Sequence, residues 1–404
     1  MKPRYQELLL KDLTGHPNGL AEHYRQFDVA NRLLLTGHSH QAWPDVAFEG
    51  MRKAWDDAAL LVDNKWEHAF QKADEVREGY SRLLDDDEGF IALGANTHEL
   101  VIRFLSCLDL KRKPKLVITT GEFHTIRRQL ARLEEEGIEI VRVPAYPVRD
   151  IAEKIIDKLD NRVSAVMVSS VFFETGLINP GIKAIAEKCR DMEIELLVDA
   201  YHSLNVAPFS VREMGLQKAF VTGAGYKYCQ LGEGNGFMRF PEDFHGRPVI
   251  TGWFSEFSLL TKKQTGRVEY GQGPDLFAGA TYDPVSHYRA AEVFRFFREM
   301  EIEPAFLREV SQHQVGLLAD LFRSFDLPPD LIRLDDDIPL SRRAGFLVLF
   351  TPHAAQIHKS LLKAGVYTDF RGMSLRLGPA PYLSDLQLKD AMVIMREVIR
   401  AQLI

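Results

Sequence analysis

The chain alternates short apolar segments with amphipathic ones from about residue 88 onward. Six apolar runs predict strands, and they lie at residues 89–94, 115–120, 138–143, 164–170, 194–200 and 219–224. Three segments between them place apolar residues at helical spacing, at residues 97–110, 125–137 and 184–192. Nearly continuous apolar strands separated by helices are typical of a parallel sheet covered on both faces. The pattern therefore predicts an α/β domain that binds its ligand beyond the carboxyl ends of the strands.

The alternation weakens between residues 241 and 290, which are rich in glycine and aromatic residues, and a helix is predicted at 286–300. A smaller α+β unit follows, with predicted strands and helices at residues 345–350, 354–365, 374–379 and 384–402. The length of 404 residues also exceeds what one simple core usually supports. We therefore divide the chain into an N-terminal arm (1–45), a large domain (46–290) and a small C-terminal domain (291–404).

Composition and charge argue against several classes of protein. The formal net charge of −7 gives the chain no general attraction to nucleic acid or to an anionic membrane. The sequence has no apolar run long enough to span a bilayer, and its start has only a three-leucine run, too short for a signal peptide. Cys107, Cys189 and Cys229 are too scattered for a disulfide framework or a thiolate zinc site. We expect a cytoplasmic protein.

Two charged residues lie where predicted strands end. Asp199 closes one strand, where a buried carboxylate is costly unless it is paired, although a turn or a helix cap also explains it. Lys227 follows the next strand, between Tyr226 and Tyr228 in the glycine-rich stretch 223–237. A desolvated lysine there would have a lowered pKa and a nucleophilic amine. Exposure in a loop is the alternative, because most lysines are exposed.

A third feature is the turn at residues 94–97, which precedes the first predicted helix of this region. Backbone N–H groups at a helix start can hold a phosphate, and simple capping by Asn96 or Thr97 explains the same residues. An anion site, a carboxylate and a lysine at three strand ends are together what pyridoxal phosphate requires. The lysine forms a Schiff base, the carboxylate keeps the pyridine nitrogen protonated, and the helix start neutralises the phosphate.

Motifs for other chemistry do not fit the sequence. Neither the phosphate-binding pattern GxxxxGK[ST] nor the zinc-binding pattern HExxH occurs. Residues 37–41, GHSHQ, miss the nucleophile-elbow pattern GxSxG because Gln41 stands in place of the second glycine. Residues 232–236, GEGNG, lack the spacing of the dinucleotide fingerprint. Pyridoxal phosphate therefore remains the cofactor that the strand ends favour.

Three motifs, in order, give the chain a resemblance to class V, fold type I pyridoxal-phosphate enzymes, and among them to kynureninases. They are VDAYHS (198–203), GYKYCQLGEGNGF (225–237) and TGWF (251–254). The resemblance implies a large domain around a mainly parallel seven-stranded sheet, with a smaller α+β C-terminal domain. It also implies pyridoxal 5′-phosphate as the cofactor, an amino acid as the substrate, and a homodimer with shared active sites.

The resemblance assigns roles to individual residues. It makes Lys227 the Schiff-base lysine and the proton carrier at Cα, Asp199 the partner of the pyridine nitrogen, and Tyr226 an acid/base partner. Phe123 would stack on the cofactor ring, with His124 as the alternative. The expected contacts to the phosphate come from Ala95, Asn96, Thr97, His202, Tyr226, Trp253 and, from the neighbouring subunit, Thr281.

The resemblance extends to the substrate. Arg376, in SLRLGPAPY, resembles the small-domain arginine that holds the substrate α-carboxylate in a bidentate grip, and an exposed strand arginine is the alternative. Four candidates for a pocket around an aryl group are His38, His40, Phe172 and Tyr282, each of which ordinary packing also explains.

Three stretches depart from the family patterns. Kynureninases carry Gly-Asn-Ser-Leu-Gly near the N-terminus, where this chain has TGHSHQ (36–41). Their Asn-Pro-Pro is replaced by residues 281–284, Thr-Tyr-Asp-Pro. The Asn-Asn-Glu-Thr-Gly of cysteine desulfurases is replaced by residues 172–176, Phe-Phe-Glu-Thr-Gly. These differences leave the cofactor chemistry intact and bear on the substrate.

The kynureninase resemblance implies hydrolytic Cβ–Cγ cleavage of L-kynurenine or 3-hydroxykynurenine, a step of tryptophan catabolism that yields alanine and anthranilate or 3-hydroxyanthranilate. A class V aminotransferase is the first alternative. A cysteine desulfurase or selenocysteine lyase is disfavoured because the chain has no cysteine after Cys229. A degenerate fold that serves only as a binding protein is the last alternative, and the presence of both Asp199 and Lys227 argues against it.

Overall fold

The structure is a computed structural model, and it describes residues 8–261 and 266–401. The elements up to residue 240 are α1 (Leu10–Thr14), β1 (Leu33–Leu34), α2 (Val46–Leu61), α3 (Lys65–Leu84), β2 (Phe90–Gly94), α4 (Thr97–Cys107), β3 (Lys115–Thr119), α5 (His124–Glu135), β4 (Glu139–Val143), α6 (Ile151–Ile156), β5 (Val163–Ser169), α7 (Ile182–Asp191), β6 (Glu195–Asp199), β7 (Phe220–Ala224) and β8 (Gly236–Phe240). Beyond them lie α8 (Val285–Glu299), α9 (Pro304–Arg323), β9 (Arg333–Leu334), β10 (Leu347–Phe350), α10 (Ala354–Lys363), β11 (Val366–Tyr367), β12 (Asp369–Arg371), β13 (Ser374–Leu377) and α11 (Asp385–Ala401).

The large sheet has seven strands in the order β2-β8-β7-β6-β5-β3-β4. Its neighbouring strands are parallel except at β8, which runs antiparallel to both β2 and β7. Because β2 and β7 are both antiparallel to β8, they run in the same direction as each other. Six of the seven strands therefore end at the same edge of the sheet. The predicted α/β fold with a mainly parallel seven-stranded sheet is confirmed, and we call this edge the lysine edge because Lys227 follows β7 there.

Alternation of side chains along the buried strands places apolar residues on both faces of the sheet. In β3, Leu116 and Ile118 join the apolar cluster that contains residues of α4 and α5. Val117, between them, joins the cluster that contains residues of α6 and α7. Both faces are therefore covered, which explains why the strands are apolar at nearly every position.

A second sheet lies in the C-terminal part of the chain. It has four antiparallel strands in the order β12-β13-β10-β9, with α10 packed against it. The N-terminal arm reaches this part of the fold because β1 pairs in parallel with β11. The boundary near residue 290 stays a prediction, and that residue lies inside α8, which packs against α2 and α3.

The described helices were also compared with what a membrane span requires. Within residues 8–261 and 266–401, none of them combines the length and the apolar character needed to cross a bilayer.

Candidate active site

Lys227 lies in the turn between β7 and β8, and its side chain is buried, with 7% exposed. Its Nζ lies 2.9 Å from Nε2 of His202. The ring centroids of Tyr201, Tyr226 and Phe123 lie 5.0, 5.6 and 5.7 Å from the same nitrogen. Burial lowers the pKa of Lys227 to about 7, so a large fraction of the amine is unprotonated at neutral pH. The alternative of an exposed loop lysine is wrong.

Asp199 ends β6, the strand next to β7, and it is buried at the lysine edge. The backbone N–H of Tyr201 donates a hydrogen bond of 2.8 Å to Oδ1 of Asp199, so the carboxylate stabilises the turn that follows β6. Burial raises the pKa of Asp199 to about 6, and the nearby Lys227 acts in the opposite direction. A protonated ring nitrogen would give this buried carboxylate a matching charge, which fits the predicted role.

The turn after β2 forms the start of α4. Asn96 caps the helix, because its Oδ1 accepts a hydrogen bond of 3.0 Å from the N–H of Glu99. The Ala95 N–H donates to Oε2 of Glu99, also at 3.0 Å. Gly236 of β8 lies against this turn, since a Cβ there would come within 2.7 Å of the Asn96 carbonyl carbon. The capping role of Asn96 is confirmed, and a phosphate that used the Ala95 amide would displace Glu99.

Tyr226 links the lysine edge to the N-terminal arm. Its ring stacks on that of His40, with centroids 4.8 Å apart and an interplanar angle of 20°. The Tyr201 ring lies 5.2 Å from Tyr226 on the other side. Burial and the neighbouring Tyr226 raise the pKa of Tyr201, and Thr97 acts against them. Sequence analysis did not single out Tyr201, although its place between Asp199 and His202 in VDAYHS offered a signal.

Phe123 and His124 are the two candidates for stacking on the cofactor ring, and the Phe123 ring faces Lys227. His124 Nδ1 lies 2.7 Å from a guanidinium nitrogen of Arg127 on the same helix. Both rings lie near Phe173, with centroid distances of 5.2 Å for Phe123 and 5.5 Å for His124, and the Phe123 ring also lies 5.7 Å from Lys227 Nζ. Of the two candidates for stacking on a cofactor ring, the contacts favour Phe123.

Glu122 is a buried acid of this region that sequence analysis missed. Its two oxygens accept hydrogen bonds from the hydroxyls of Thr119, at 2.5 Å, and Ser169, at 2.6 Å. Burial raises its pKa to about 7, with the nearby Asp199 acting in the same direction and the two hydroxyls acting against it. The available signal was its place directly before Phe123, at the end of a predicted strand.

Arg376 lies in β13 and is buried, with 3% exposed, so the alternative of an exposed strand arginine is wrong. Its Nη1 donates a hydrogen bond of 2.6 Å to the backbone oxygen of Phe173, and its Nη2 is hydrogen-bonded to Oδ2 of Asp369. Its Nε has no hydrogen-bond partner among the described residues. Its charge also lowers the pKa of Lys227, so the small sheet contributes to the electrostatics of the lysine edge.

His38 comes from the N-terminal arm and is fully buried. Its ring stacks on that of Phe346, with centroids 4.7 Å apart and an interplanar angle of 28°. The His202 ring lies 5.9 Å from Phe346, and the Arg376 guanidinium carbon lies 5.8 Å from the Phe346 centroid. Phe346 thus brings three predicted site residues together. The sequence carried no signal for it, because it lies in an ordinary apolar strand pattern.

Two more of the aryl-pocket candidates, Phe172 and His40, differ in their surroundings. The Phe172 side chain is fully buried in the core, where its ring lies 5.9 Å from that of Tyr146. His40 is largely exposed, and its Nε2 lies 3.5 Å from Glu233. The packing explanation therefore holds for Phe172, whereas His40 lies at the rim of the lysine edge through its contact with Tyr226.

Three further residues predicted at the site, Thr281, Tyr282 and Trp253, lie at or beside a cavity of the structure. Thr281 and Tyr282 line a cavity of about 760 Å³, together with Ala95 and Phe254. Trp253, 46% exposed, packs on Phe254 with ring centroids 4.3 Å apart. Over the part of the chain that the structure describes, the lining of this cavity includes neither Lys227 nor Arg376. The cavity therefore shares Ala95 of the turn after β2 with the candidate site, whereas Lys227 is not among its described lining residues.

Comparison with known proteins finds a family match that spans part of this site. The family model described as aminotransferase class-V matches residues 63–228, which include Asp199 and Lys227. The chain is thus similar to class V pyridoxal-phosphate-dependent enzymes over the segment that contains its buried lysine and carboxylate. A kynureninase from Geobacillus thermodenitrificans is 27% identical to it over 331 residues, which are 78% of this chain and 74% of that protein. The predicted cofactor, pyridoxal 5′-phosphate, is confirmed.

Two further matches show how widely this fold is used. An uncharacterized aminotransferase of Schizosaccharomyces pombe is 28% identical over 167 residues, 41% of this chain and 42% of that protein. An apo cysteine desulfurase structure from Thermococcus onnurineus NA1 superposes with a TM-score of 0.78 at 16% identity, covering 95% of this chain and 98% of that one. That superposition confirms the fold. Because these proteins are named for different reactions, the fold does not select the reaction.

The side chains of this site fit pyridoxal phosphate. Lys227, with its pKa lowered to about 7, offers an unprotonated amine to an aldehyde, and the buried carboxylate of Asp199 can accept the charge of a protonated ring nitrogen. The Nδ1 atom of His202 is buried without a hydrogen-bond partner in residues 8–261 and 266–401. Buried polar atoms in that state are rare, and a bound ligand is one way to satisfy them.

Proposed function

We propose that this class V enzyme cleaves the Cβ–Cγ bond of L-kynurenine or 3-hydroxykynurenine with water, giving alanine and anthranilate or 3-hydroxyanthranilate. The observation that carries the proposal is the buried Lys227 amine, held between His202 and three aromatic rings, with the buried Arg376 acting on its pKa. The kynureninase relative, which aligns with 78% of the chain, supports the same reaction. Pyridoxal phosphate, when bound, supplies the electron sink for the negative charge that develops on the substrate carbons.

The proposed roles of the side chains follow from their protonation states. With a pKa lowered to about 7, Lys227 can take up and return the Cα proton near neutral pH. Burial and Lys227 lower the pKa of His202, so this ring stays neutral and holds the amine 2.9 Å away through a hydrogen bond. The Tyr226 hydroxyl is the second proposed proton carrier, and burial raises its pKa, so it remains a donor. Asp199 holds the charge on the ring nitrogen.

We assign binding of the amino-acid substrate to Arg376 of the small sheet and to the aromatic side chain of Phe123. Arg376 offers its buried Nε to the α-carboxylate of the substrate. Phe123, which faces Lys227 and packs edge-on against Phe173, provides an apolar surface for stacking. The exclusion of water by these rings strengthens the charge–charge contacts that orient the substrate.

The proposal includes a homodimer with shared active sites. Thr281 and Tyr282 lie on a cavity with Ala95, at the phosphate-binding turn, and Lys227 is not among the described lining residues of that cavity. Trp253 adds an exposed aromatic surface near this cavity through its contact with Phe254. We propose that these residues complete the active site of a second copy, with Thr281 and Trp253 on its phosphate.

A class V aminotransferase is the second candidate. The aminotransferase relative favours it, and the same Lys227, Asp199 and Arg376 would serve it. The two reactions differ in what they need, because only transamination requires a keto acid to receive the amine.

The deciding experiment is mass spectrometry of the products after incubation of the yellow holoenzyme with L-kynurenine and, separately, 3-hydroxykynurenine, without a keto acid. Alanine plus anthranilate, or 3-hydroxyanthranilate, is the expected result. Absence of cleavage, together with conversion of the cofactor to its amine form by another amino acid, would replace the hydrolase with an aminotransferase. A Lys227→Ala preparation provides the control without turnover.

A further inference from the structure

Asp369 lies between two site residues that both approach one of its oxygens. It faces Arg376 directly across the β12–β13 pair. Its Oδ2 is hydrogen-bonded to Nη2 of Arg376 and lies 3.6 Å from Nε2 of His38. Its Oδ1 accepts a hydrogen bond of 2.8 Å from Arg371. The distance of 3.6 Å is longer than a hydrogen bond, so His38 is close to Asp369 without being bonded to it.

His38 is a buried polar group that lacks a partner of its own. Neither of its ring nitrogens makes a hydrogen bond to any residue in the described ranges, a costly state for a fully buried imidazole. Burial lowers its pKa to about 4, so the ring is neutral at pH 7 and has one N–H to donate. The charged and titratable groups that act on it electrostatically are Asp369, Arg376, Lys227 and His202.

The imidazole of His38 is fixed on both sides. One face stacks on Phe346, and Nδ1 lies so close to Gly378 that a Cβ on that glycine would come within 2.2 Å of it. If the gap between His38 and Asp369 closes, the carboxylate therefore moves and the ring stays.

The guanidinium of Arg376 offers a reason for such a movement. Its Nε and Nη2 form the edge on which a carboxylate can sit with two parallel hydrogen bonds. Nε has no partner within the described part of the chain, and Nη2 is the nitrogen that Asp369 occupies. A substrate carboxylate that bridges this edge competes with Asp369 for Nη2, and two carboxylates on one arginine repel each other.

We propose that Asp369 is a placeholder for the substrate carboxylate on Arg376, and that His38 is the positioning residue that receives Asp369 when the substrate binds. The inference rests on the proposed binding of the α-carboxylate by Arg376. Asp369 Oδ2 would leave Nη2 and accept the Nε2–H of His38, closing the gap to about 2.9 Å. Arg376 then has a carboxylate partner in both states, so the site avoids the cost of a buried charge without a partner.

The placeholder also makes the site selective. A ligand with a carboxylate displaces Asp369 from Arg376 and forms hydrogen bonds with the guanidinium itself. An amine without a carboxylate leaves Asp369 on Arg376 and gains no such contact. His38 should therefore affect the binding of amino acids and leave the binding of simple amines unchanged.

The test uses the intact holoenzyme and measures binding through the change in cofactor absorbance, without turnover. The probes are L-alanine, which has the carboxylate, and ethylamine, which lacks it. His38→Phe keeps a ring to stack on Phe346 and removes the N–H, so we expect about tenfold weaker L-alanine binding, with ethylamine unchanged. His38→Gln, which keeps an N–H donor, should restore most of the affinity. His353→Phe, a histidine change at the start of α10, is the matched control.

Substitution of Asp369 should change the affinity for L-alanine in the opposite direction from substitution of His38. This test does not depend on how the His38 variants fold. Asp369→Asn holds Arg376 less strongly, so the expected result is severalfold tighter L-alanine binding. Weaker binding would mean that Asp369 only orients Arg376, and the placeholder role would be overturned. That role would also be overturned if His38→Phe bound both probes like the wild type. If Arg376→Gln leaves the L-alanine affinity unchanged, the proposed carboxylate site itself fails, a result distinct from the other two.

Discussion

Lys227 Nζ lies 2.9 Å from Nε2 of His202, and both side chains are buried. His202 follows β6, which ends at Asp199, and Lys227 follows the adjacent β7, so two neighbouring parallel strands create this contact. Two positive charges this close together in a buried site would repel each other. Protonation of either side chain therefore disfavours protonation of the other. A neutral imidazole beside an amine whose pKa is lowered to about 7 is an arrangement suited to attack on an aldehyde.

Replacement of the lysine should abolish the chemistry and leave the fold. We expect Lys227→Ala to lose the absorbance band of the covalently held cofactor and to lower kcat at least a thousandfold, because it removes both the attachment point and the proton carrier. Absorbance spectra and steady-state kinetics measure the two effects. Lys183→Ala, at an exposed position of α7, is the control and should behave like the wild type. A Lys227→Ala enzyme that kept both the band and the turnover would remove the central assignment.

The lowered pKa of Lys227 predicts how the cofactor-free protein takes up pyridoxal phosphate with pH. The neutral amine is the reactive form, and its fraction rises as the pH passes the folded pKa of about 7. The rate of uptake, followed by absorbance between pH 5.5 and 9, should therefore rise with a midpoint near pH 7. A rate that keeps rising with the ordinary lysine pKa near 10.5 would show that the amine is not buried as described.

The same shift predicts a pH-dependent gain in stability. The folded pKa of Lys227 is about 7 and its ordinary value is 10.5, so between these pH values the unfolded chain binds more protons and stability rises with pH. The penalty from burying the amine is fully present below pH 7 and is lost towards pH 10.5. Lys227→Met should therefore raise the melting temperature of the cofactor-free protein by several degrees at pH 6 and by much less at pH 10. An equal effect at both pH values would contradict the titration.

The two arginines that hold Asp369 should differ in their effect on the substrate. Arg376 is buried, whereas Arg371 is nearly half exposed. Arg376→Gln should raise KM for L-kynurenine by about a hundredfold, because it removes a buried charge-assisted contact. Arg371→Gln should change KM by less than about fivefold, since exposed ion pairs contribute little. Steady-state kinetics of the two variants, measured side by side, decide whether burial separates them.

The shared-site dimer predicts recovery of activity when two inactive variants are mixed. Lys227→Ala removes the lysine of its own site, and Thr281→Asp places a negative charge where a phosphate of the second copy would lie. After mixing and subunit exchange, half of the dimers contain one intact site, so about a quarter of wild-type activity should return. Activity that stays at the level of the separate variants, in a mixture shown by mass spectrometry to contain mixed dimers, would place Thr281 outside the partner's site.

Most of the large domain could be predicted from the sequence, since its strands are apolar along their length. The predicted strands at 89–94, 115–120, 164–170 and 194–200 agree with β2, β3, β5 and β6 to within about a residue. Helix α2 was missed because exposed apolar residues such as Trp55 and Leu60 blur its apolar stripe. Strand β8 was missed because it begins within a glycine-rich turn.

The sequence by itself determined the chemistry at the strand ends. Because parallel strands end at one edge, Asp199, His202 and Lys227 had to meet once the strands were assigned. Only the tertiary structure decided what faces them. It brought His38 from the N-terminal arm and Arg376 from the small sheet to one ring, and it placed Thr281 on a cavity together with Ala95. Such contacts join residues hundreds of positions apart and depend on how sheets and helices pack, which no local pattern encodes.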